Sequence, residues 1–525
     1  MSDSRHIVIV GGGISGLSAA FYARRLLREQ GLQARITLLE RDNRLGGNMN
    51  TLRRDGFVIE KGPDSFLARK MPIIELTREL GLESELAATN PQSKTYILHQ
   101  GRLHRMPPGL VLGIPTEITP FLKTGLVSPL GKLRAGLDLV LPRRESTQDE
   151  SLGDFLQRRL GREVLEHIAE PLLAGIYASD TFSMSLQATF PQFHAIERKY
   201  RSLILGMMAS RRQNAQETAG LPNIAKSSMF LTYRNGLSTL IERLVEVLDD
   251  VDIVTGCGVS KLETLRGSGE ANVVRESVHS LTDGEKQKHS SNHSSSHNQN
   301  PDSGHGSNAG ISPYVLALDD GRQLAADAVI IALPAPAAAA LLPDLPEKAP
   351  FADMSYVSVA NVVMAFDSAD VGYRIDGSGF VVPRREGRFI TACTWTSTKW
   401  LHTAPTGKTL LRMYVGRAGD EDWVRMSDEE IIERVRRDLR ELMNLSAEPQ
   451  FTEVTRLLHS MPQYAVGHPE HVRRLFERLH ADYPGLHLCG TAYDGVGIPD
   501  SIRQAKDAAI RAVHDLDAIA PVNPL

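Results

Sequence analysis

Six residues near the start of the chain, Gly11-Gly12-Gly13-Ile14-Ser15-Gly16, have the types and spacing needed to hold a phosphate chain. They satisfy G-x-G-x-x-G, follow the β-branched run 6–10 (HIVIV), and open a stretch over 17–27 with apolar residues at helical spacing. Gly11 permits a tight turn, Gly13 lets bare backbone approach a pyrophosphate, and Gly16 lets helix and strand pack closely. The phosphates then sit on the free N–H groups of a helix N-terminus, where the macrodipole favours an anion. Glu40 ends a second apolar strand, 36–39, and is placed to accept hydrogen bonds from ribose hydroxyls. Strand, turn, helix and strand make one βαβ unit. FAD and NAD share this fingerprint, so it leaves the choice between them open.

The next residues narrow it. Glu40-Arg41-Asp42-Asn43-Arg44-Leu45-Gly46-Gly47 follows directly, and it reads either as an ordinary turn or as a cation and bare backbone brought to the same cofactor. At the other end, Leu488-Cys489-Gly490-Thr491-Ala492-Tyr493-Asp494-Gly495-Val496-Gly497-Ile498-Pro499-Asp500 reads as a short strand, a glycine-spaced turn and a helix starting near Pro499. Such a helix would aim its positive end at whatever group the turn holds. The ERxxRLGG string resembles the dinucleotide-plus-GG motif of FAD-dependent amine oxidases, phytoene desaturases and protoporphyrinogen oxidases. The C-terminal string resembles the second flavin motif of the same superfamily.

Further strings are similar to one branch of it. Gly62-Pro63-Asp64-Ser65-Phe66, Glu170-Pro171-Leu172-Leu173-Ala174-Gly175-Ile176-Tyr177, Thr189-Phe190-Pro191-Gln192-Phe193, Thr391-Ala392-Cys393-Thr394-Trp395-Thr396 and Met461-Pro462-Gln463-Tyr464 all resemble the bacterial HemY-type porphyrinogen oxidases, nearest to their Gram-positive, coproporphyrinogen-oxidising branch. The resemblance runs from His6 to about Ala512.

It implies an α/β fold: a Rossmann-type FAD-binding domain, a mixed-sheet substrate domain and an α-rich inserted domain. It implies oxidation of coproporphyrinogen III to coproporphyrin III in heme biosynthesis, by three two-electron dehydrogenations with O2 as acceptor and H2O2 as by-product. Transient contact with the next enzyme of the pathway is a corollary. The implied FAD contacts are Gly11, Gly12, Gly13, Ile14, Ser15, Gly16, Leu17, Glu40, Arg41, Arg44, Gly47, Gly62, Pro63, Asp64, Ser65, Val259, Trp400, Gly490, Val496, Gly497 and Ile498. Lys70 matches a basic residue that would hold a substrate carboxylate; Arg69 ranks second, and Ile176 is a candidate wall of the slot, or else a core residue. A flat apolar macrocycle with carboxylates needs that combination of apolar slot and rim cations. Alternatives are a protoporphyrinogen oxidase, an amine- or carotenoid-type FAD oxidase, and a flavin-holding scaffold without turnover. No catalytic triad or paired-carboxylate signature stands out, so no protein nucleophile is expected.

The elements around these motifs divide the 525 residues into pieces. FAD-binding segments are expected at 1–69, 231–266, 313–340 and 456–525, an α-rich insertion at 70–230, and a substrate-binding mixed sheet at 341–455. Within the insertion, Ser151 with Asp154 marks a helix start. The stretch 267–312 holds 11 serines, five of the chain's 17 histidines and no aromatic residue, which predicts a disordered loop between hairpin strands 259–262 and 314–318.

Composition excludes other classes. Lys plus Arg total 59 against 63 acids, a net charge of −4, so nucleic acid is not the expected main partner. Cys257, Cys393 and Cys489 are scattered and offer neither a disulfide framework nor metal-ligand spacing, which points to a reducing, cytoplasmic compartment. The most apolar late stretch, 328–342, is too short and proline-broken to span a bilayer. Segment 94–144 carries eight Lys/Arg against only Glu117 and Asp138. It is either a solvated surface or a site for an acidic ligand or an anionic membrane, to which the protein would bind peripherally.

Overall fold

The computed structural model describes residues 5–92, 94–111, 113–214, 220–265 and 314–518, with no side-chain detail for 211–214 and 517–518. The Ser/His-rich stretch expected over 267–312 lies outside these residues. The strands expected on either side of it are formed: Val259–Thr264 pairs antiparallel with Tyr314–Leu318.

A five-stranded parallel sheet organises the nucleotide-binding part, in the order Asp252–Val254, Ala34–Leu39, Arg5–Val10, Ala328–Ile331, Leu486–Leu488. Ile7 to Val10 and Ala328 to Ile331 are buried almost completely, as β-branched strands covered on both faces must be. On one face the helix Ile14–Gln30 packs against the last helix, Ile498–Ala518. The contact is built from small residues, Ala19, Ala20 and Ala23 facing a core shared with Ala505, Ala508, Ala509 and Ala512. The other face is covered by the hairpin sheet over 259–326 and by the helices Ala335–Leu341 and His468–Asp482.

A seven-stranded mixed sheet forms the second layer system. Its order is Phe451–Pro462, Tyr356–Asp367, Lys408–Val415, Ile390–Trp395, Gly377–Val381, Lys94–His99, Arg102–Arg105. Helix Asp428–Met443 covers it, started by a capping box in which Ser427 and Glu430 bond each other's backbone N–H. This sheet is wider than the 341–455 segment expected for it. It takes two strands from the stretch read as α-rich and one that runs on to Pro462. The 70–230 block is therefore not helical throughout, because Lys94–His99 pairs in parallel with a strand nearly 300 residues later. Such pairing leaves no local signal.

The helical region proper packs Phe121, Phe155, Leu165, Phe193 and Leu203 into a core of its own. Ser151 caps the helix Leu152–Leu160 by accepting from the Asp154 N–H at 3.0 Å, as its spacing predicts. A π turn over Leu165–Ala169 leads into helix Glu170–Tyr177. Asp138 is not a solvated acid of the basic segment; it is fully buried. Its carboxylate accepts from Arg159 Nε at 2.6 Å, Ser202 Oγ at 2.6 Å and the Ile204 N–H at 2.9 Å, so it also caps helix Leu203–Asn214. Arg159, equally buried, spends its other donors on the carbonyls of Pro142, Asp138 and Arg201 and, at 3.4 Å, on the buried carboxylate of Glu197. The attraction offsets desolvation only while both partners remain. Asp138→Ala should therefore cost about 3–5 kcal/mol of stability. The expected readout is a lower denaturant midpoint, with Asp138→Asn intermediate.

Candidate active site

The glycine turn is set by close contacts that exclude side chains. A Cβ on Gly16 would lie 1.7 Å from the Gly11 carbonyl oxygen, so only glycine lets the helix start against the strand. Gly11 has φ +110° and would press a Cβ within 2.6 Å of the Ala332 carbonyl oxygen. Above Gly13 the space is open to beyond 4 Å. Gly13 is the N-cap of helix Ile14–Gln30, no side chain caps that end, and its first turn carries no acid. The amides there are available to an anion.

Glu40 closes the turn from the side. Its carboxylate accepts from the Gly12 N–H at 2.6 Å and the Asp42 N–H at 2.8 Å. The strand end after Val254 is held to the same loop, with the Cys257 N–H on the Glu40 carbonyl at 3.0 Å. This brings Gly258 against the Arg41 side chain and Val259 beside it. Gly46 donates to the Gly12 carbonyl at 2.8 Å, and Gly47 stacks its bare Cα over Gly13. Arg44 donates to the carbonyls of Leu45, Gly47 and Met49, which staples its own loop.

The 62–65 loop lies between this turn and the seven-stranded sheet. Gly62 is pinched against the Asn48 carbonyl, and its own carbonyl accepts from buried Arg412. Asn361 donates to the Lys61 carbonyl at 2.8 Å. Asp64 accepts from Lys399 Nζ at 2.8 Å and Ser65 Oγ at 2.7 Å. Burial opposes its ionisation, yet Lys399 and Arg412 outweigh that and hold its carboxyl well below the usual range. Trp400 and Asp64 border a small internal cavity of about 20 Å³ together with Glu60 and Arg412. Burial pushes Glu60 up to about 7 against the pull of hydrogen bonds from Leu237 and Thr51. Sequence reading missed Glu60, Asn361, Lys399 and Arg412, whose loop partners, apart from those of Glu60, lie hundreds of positions away.

At the C-terminal motif, Gly490 has φ +134° and stands open, its nearest neighbours Leu333 O and Ser15 Oγ at 3.9 Å from a built Cβ. The helix Ile498–Ala518 begins beside it. Tyr464 donates to the Thr491 carbonyl at 2.5 Å, while Gln463 donates to the Tyr177 carbonyl at 3.3 Å. Two adjacent residues thus clip the end of helix Glu170–Tyr177 to this motif, and Val496 packs on the helical core. Ile176 is substantially exposed there, whereas Leu173 is core. Lys70, the N-cap residue of helix Met71–Glu79, bonds Asp500 Oδ1 at 2.9 Å. Arg69 is exposed and makes no ion pair among the described residues.

These residues fit a flavin dinucleotide. An uncapped helix end faces open space over Gly13, a second bare backbone position opens at Gly490, and the Trp400 Nε1 and Arg412 Nε and Nη1 donors are buried without partners. The parallel sheet with two helix N-termini converging on one glycine-lined cleft defines an FAD-dependent oxidoreductase. The comparison with known proteins is specific: the chain belongs to the flavin-containing amine oxidoreductase family, whose pattern matches residues 14–288 and 305–513. It is 43% identical to coproporphyrinogen III oxidase of Bacillus subtilis (strain 168), over 98% of this chain and 99% of that one. Against the Staphylococcus aureus (strain NCTC 8325 / PS 47) enzyme of the same name the identity is 36%, over 98% and 100%. A crystal structure from Exiguobacterium sp. 255-15, assigned as a protoporphyrinogen oxidase, superposes with TM-score 0.77 at 36% identity, over 98% and 100%.

Glu40→Ala removes the acceptor that ties the Gly12 amide to the second strand. The flavin-to-protein ratio after dialysis should fall about tenfold, as losing one charged hydrogen-bond acceptor implies. Absorbance at the flavin band measures it.

Proposed function

We propose that this protein oxidises coproporphyrinogen III to coproporphyrin III. The observation that carries the reading is similarity along the whole chain to enzymes of that name. Six electrons leave the macrocycle in three two-electron dehydrogenations, and with O2 as final acceptor three H2O2 are formed. When bound, FAD supplies the two-electron acceptor.

The chain's own residues then bind and orient. The uncapped amides at 14–16, with Gly11 to Gly13 and Leu17, take the pyrophosphate, and Glu40 takes the ribose. Arg41 and Val259 border the adenine side, with Gly47 above Gly13. The 62–65 loop with Trp400, and Gly490 with 496–498, would hold the ring system of FAD, and the N-terminus of helix Ile498–Ala518 would favour negative charge on it. Arg44 serves the cofactor indirectly, by holding the Gly46-Gly47 loop. On the substrate side, Lys70 takes a carboxylate, Arg69 supplies a second cation, and Ile176 forms apolar wall.

Purified enzyme containing FAD should raise porphyrin fluorescence and peroxide above autoxidation when given coproporphyrinogen III. Lys70→Ala should raise KM several-fold while FAD stays bound. Absence of turnover by flavin-loaded enzyme would overturn the reading. The Exiguobacterium relative keeps protoporphyrinogen in view as substrate, and the ratio of kcat/KM for the two porphyrinogens decides between them.

A cytoplasmic protein with a peripheral membrane contact belongs to the same proposal. No helix among the described residues is long and apolar enough to cross a membrane. Helices Ile118–Lys123 and Pro129–Gly136, with the turn after them, expose Leu122, Leu130, Leu133 and Val140 beside Lys123 and Lys132. Exposed leucines ringed by lysines suit an anionic interface. The protein should float with vesicles containing phosphatidylglycerol, and Leu130→Asp/Leu133→Asp should abolish flotation. The porphyrin must afterwards pass to the next enzyme of the pathway, and a transient contact with it completes the proposal.

A further inference from the structure

Lys70 enters the site already paired. Its ammonium lies 2.9 Å from Asp500 Oδ1, and the two residues are 430 positions apart. The partners are unequal. The Lys70 side chain is 46% exposed, on a flexible four-carbon stem; Asp500 is 21% exposed, in the first turn of helix Ile498–Ala518. Asp500 is held on its other side by the glycine turn. Its N–H donates to the Gly497 carbonyl at 3.0 Å, and Gly495, at φ +96°, would press a Cβ within 2.8 Å of the Asp500 Cβ. The nearby cations are engaged elsewhere: Arg503 with Asp494 and Asp507, Lys506 with Glu75. Tyr177 stands close enough for the Asp500 charge to add to burial in raising its phenol, so that group stays neutral.

We propose that Asp500 is the positioning residue for the substrate carboxylate: it fixes Lys70 at the mouth of the site, and its charge limits how tightly that carboxylate binds. The inference rests on Lys70 being the carboxylate anchor. An ammonium has three N–H donors, of which Asp500 takes one; two remain for the substrate. Orientation and charge act in opposite senses. The hydrogen bond reduces the rotamer freedom that substrate binding would otherwise have to remove. The negative charge, only 2.9 Å from the ammonium, neutralises the field of Lys70 that draws the incoming carboxylate. This keeps binding of a polyanionic substrate weak enough for its carboxylated product to leave.

Asp500→Asn separates the two effects, since the amide oxygen still accepts from Lys70 but carries no charge. KM for coproporphyrinogen III should fall about threefold, by more than kcat changes, and the fall should shrink with added salt. Asp500→Ala, lacking both effects, should not reproduce it. The Asn effect should vanish in a Lys70→Met background and with the tetramethyl ester of the substrate. Fluorescence titration of flavin-loaded enzyme with coproporphyrin III and with its ester reads the same difference without turnover. An Asn effect that persists in Lys70→Met, or that appears equally with the ester, overturns the proposal. If Lys70→Met itself leaves KM and binding unchanged, the anchor reading fails first, and this inference falls with it.

Discussion

A carbonyl and an α-carbon in near-contact, Gly11 O against Gly16, set the geometry on which the molecule depends. Because no side chain intervenes, the helix Ile14–Gln30 starts directly on the end of its strand and its unpaired amides open into the cleft. The same closeness extends along that helix, where alanines allow the last helix, Ile498–Ala518, to lie against it. Two helix N-termini therefore reach one cleft from opposite ends of the chain. Larger residues at Ala19, Ala20 or Gly16 would separate them and remove the cradle before any ligand was considered.

Around that fixed centre the other two regions are joined by polar clips as well as by apolar contact, Phe57 and Ile59 packing on Val363 and Leu410, and Ile97 entering the helical core. Arg412, from strand Lys408–Val415, and Lys399, from the short helix before it, hold the 62–65 loop through Gly62 and Asp64. Gln463 and Tyr464 hold the end of the helical region to the 490–498 turn. Each clip is directional, so hydrogen bonds orient the cleft walls that apolar contact holds together.

What could be read from the sequence was what is locally determined. The glycine turn and Glu40 are spaced by strand and helix geometry, and helix Asp428–Met443 carries a strong amphipathic pattern between Ser427 and Asn444. The strand Phe451–Pro462 went unseen because most of its residues are half-exposed, so it lacks the alternation that marks a one-sided strand. Strand Lys94–His99 sat in a Pro/Gly-rich stretch, and its sheet partner comes nearly 300 residues later. The polar partners of the cleft were invisible for the same reason: 335 positions separate Asp64 from Lys399, 350 separate Gly62 from Arg412, and 430 separate Lys70 from Asp500. A residue type announces chemistry in a sequence only when its partner is near in the chain.

The alanine-lined contact between first and last helices bears on how the protein is made. The central sheet lacks its edge strand Leu486–Leu488, and the cradle lacks one wall, until residues 486–518 have been synthesised. A ribosome-bound chain would thus expose the apolar face of Ile14–Gln30 for most of its translation, with the non-local closure that slows folding still to come. The complete cradle therefore forms only once helix Ile498–Ala518 has been made and has docked on Ile14–Gln30.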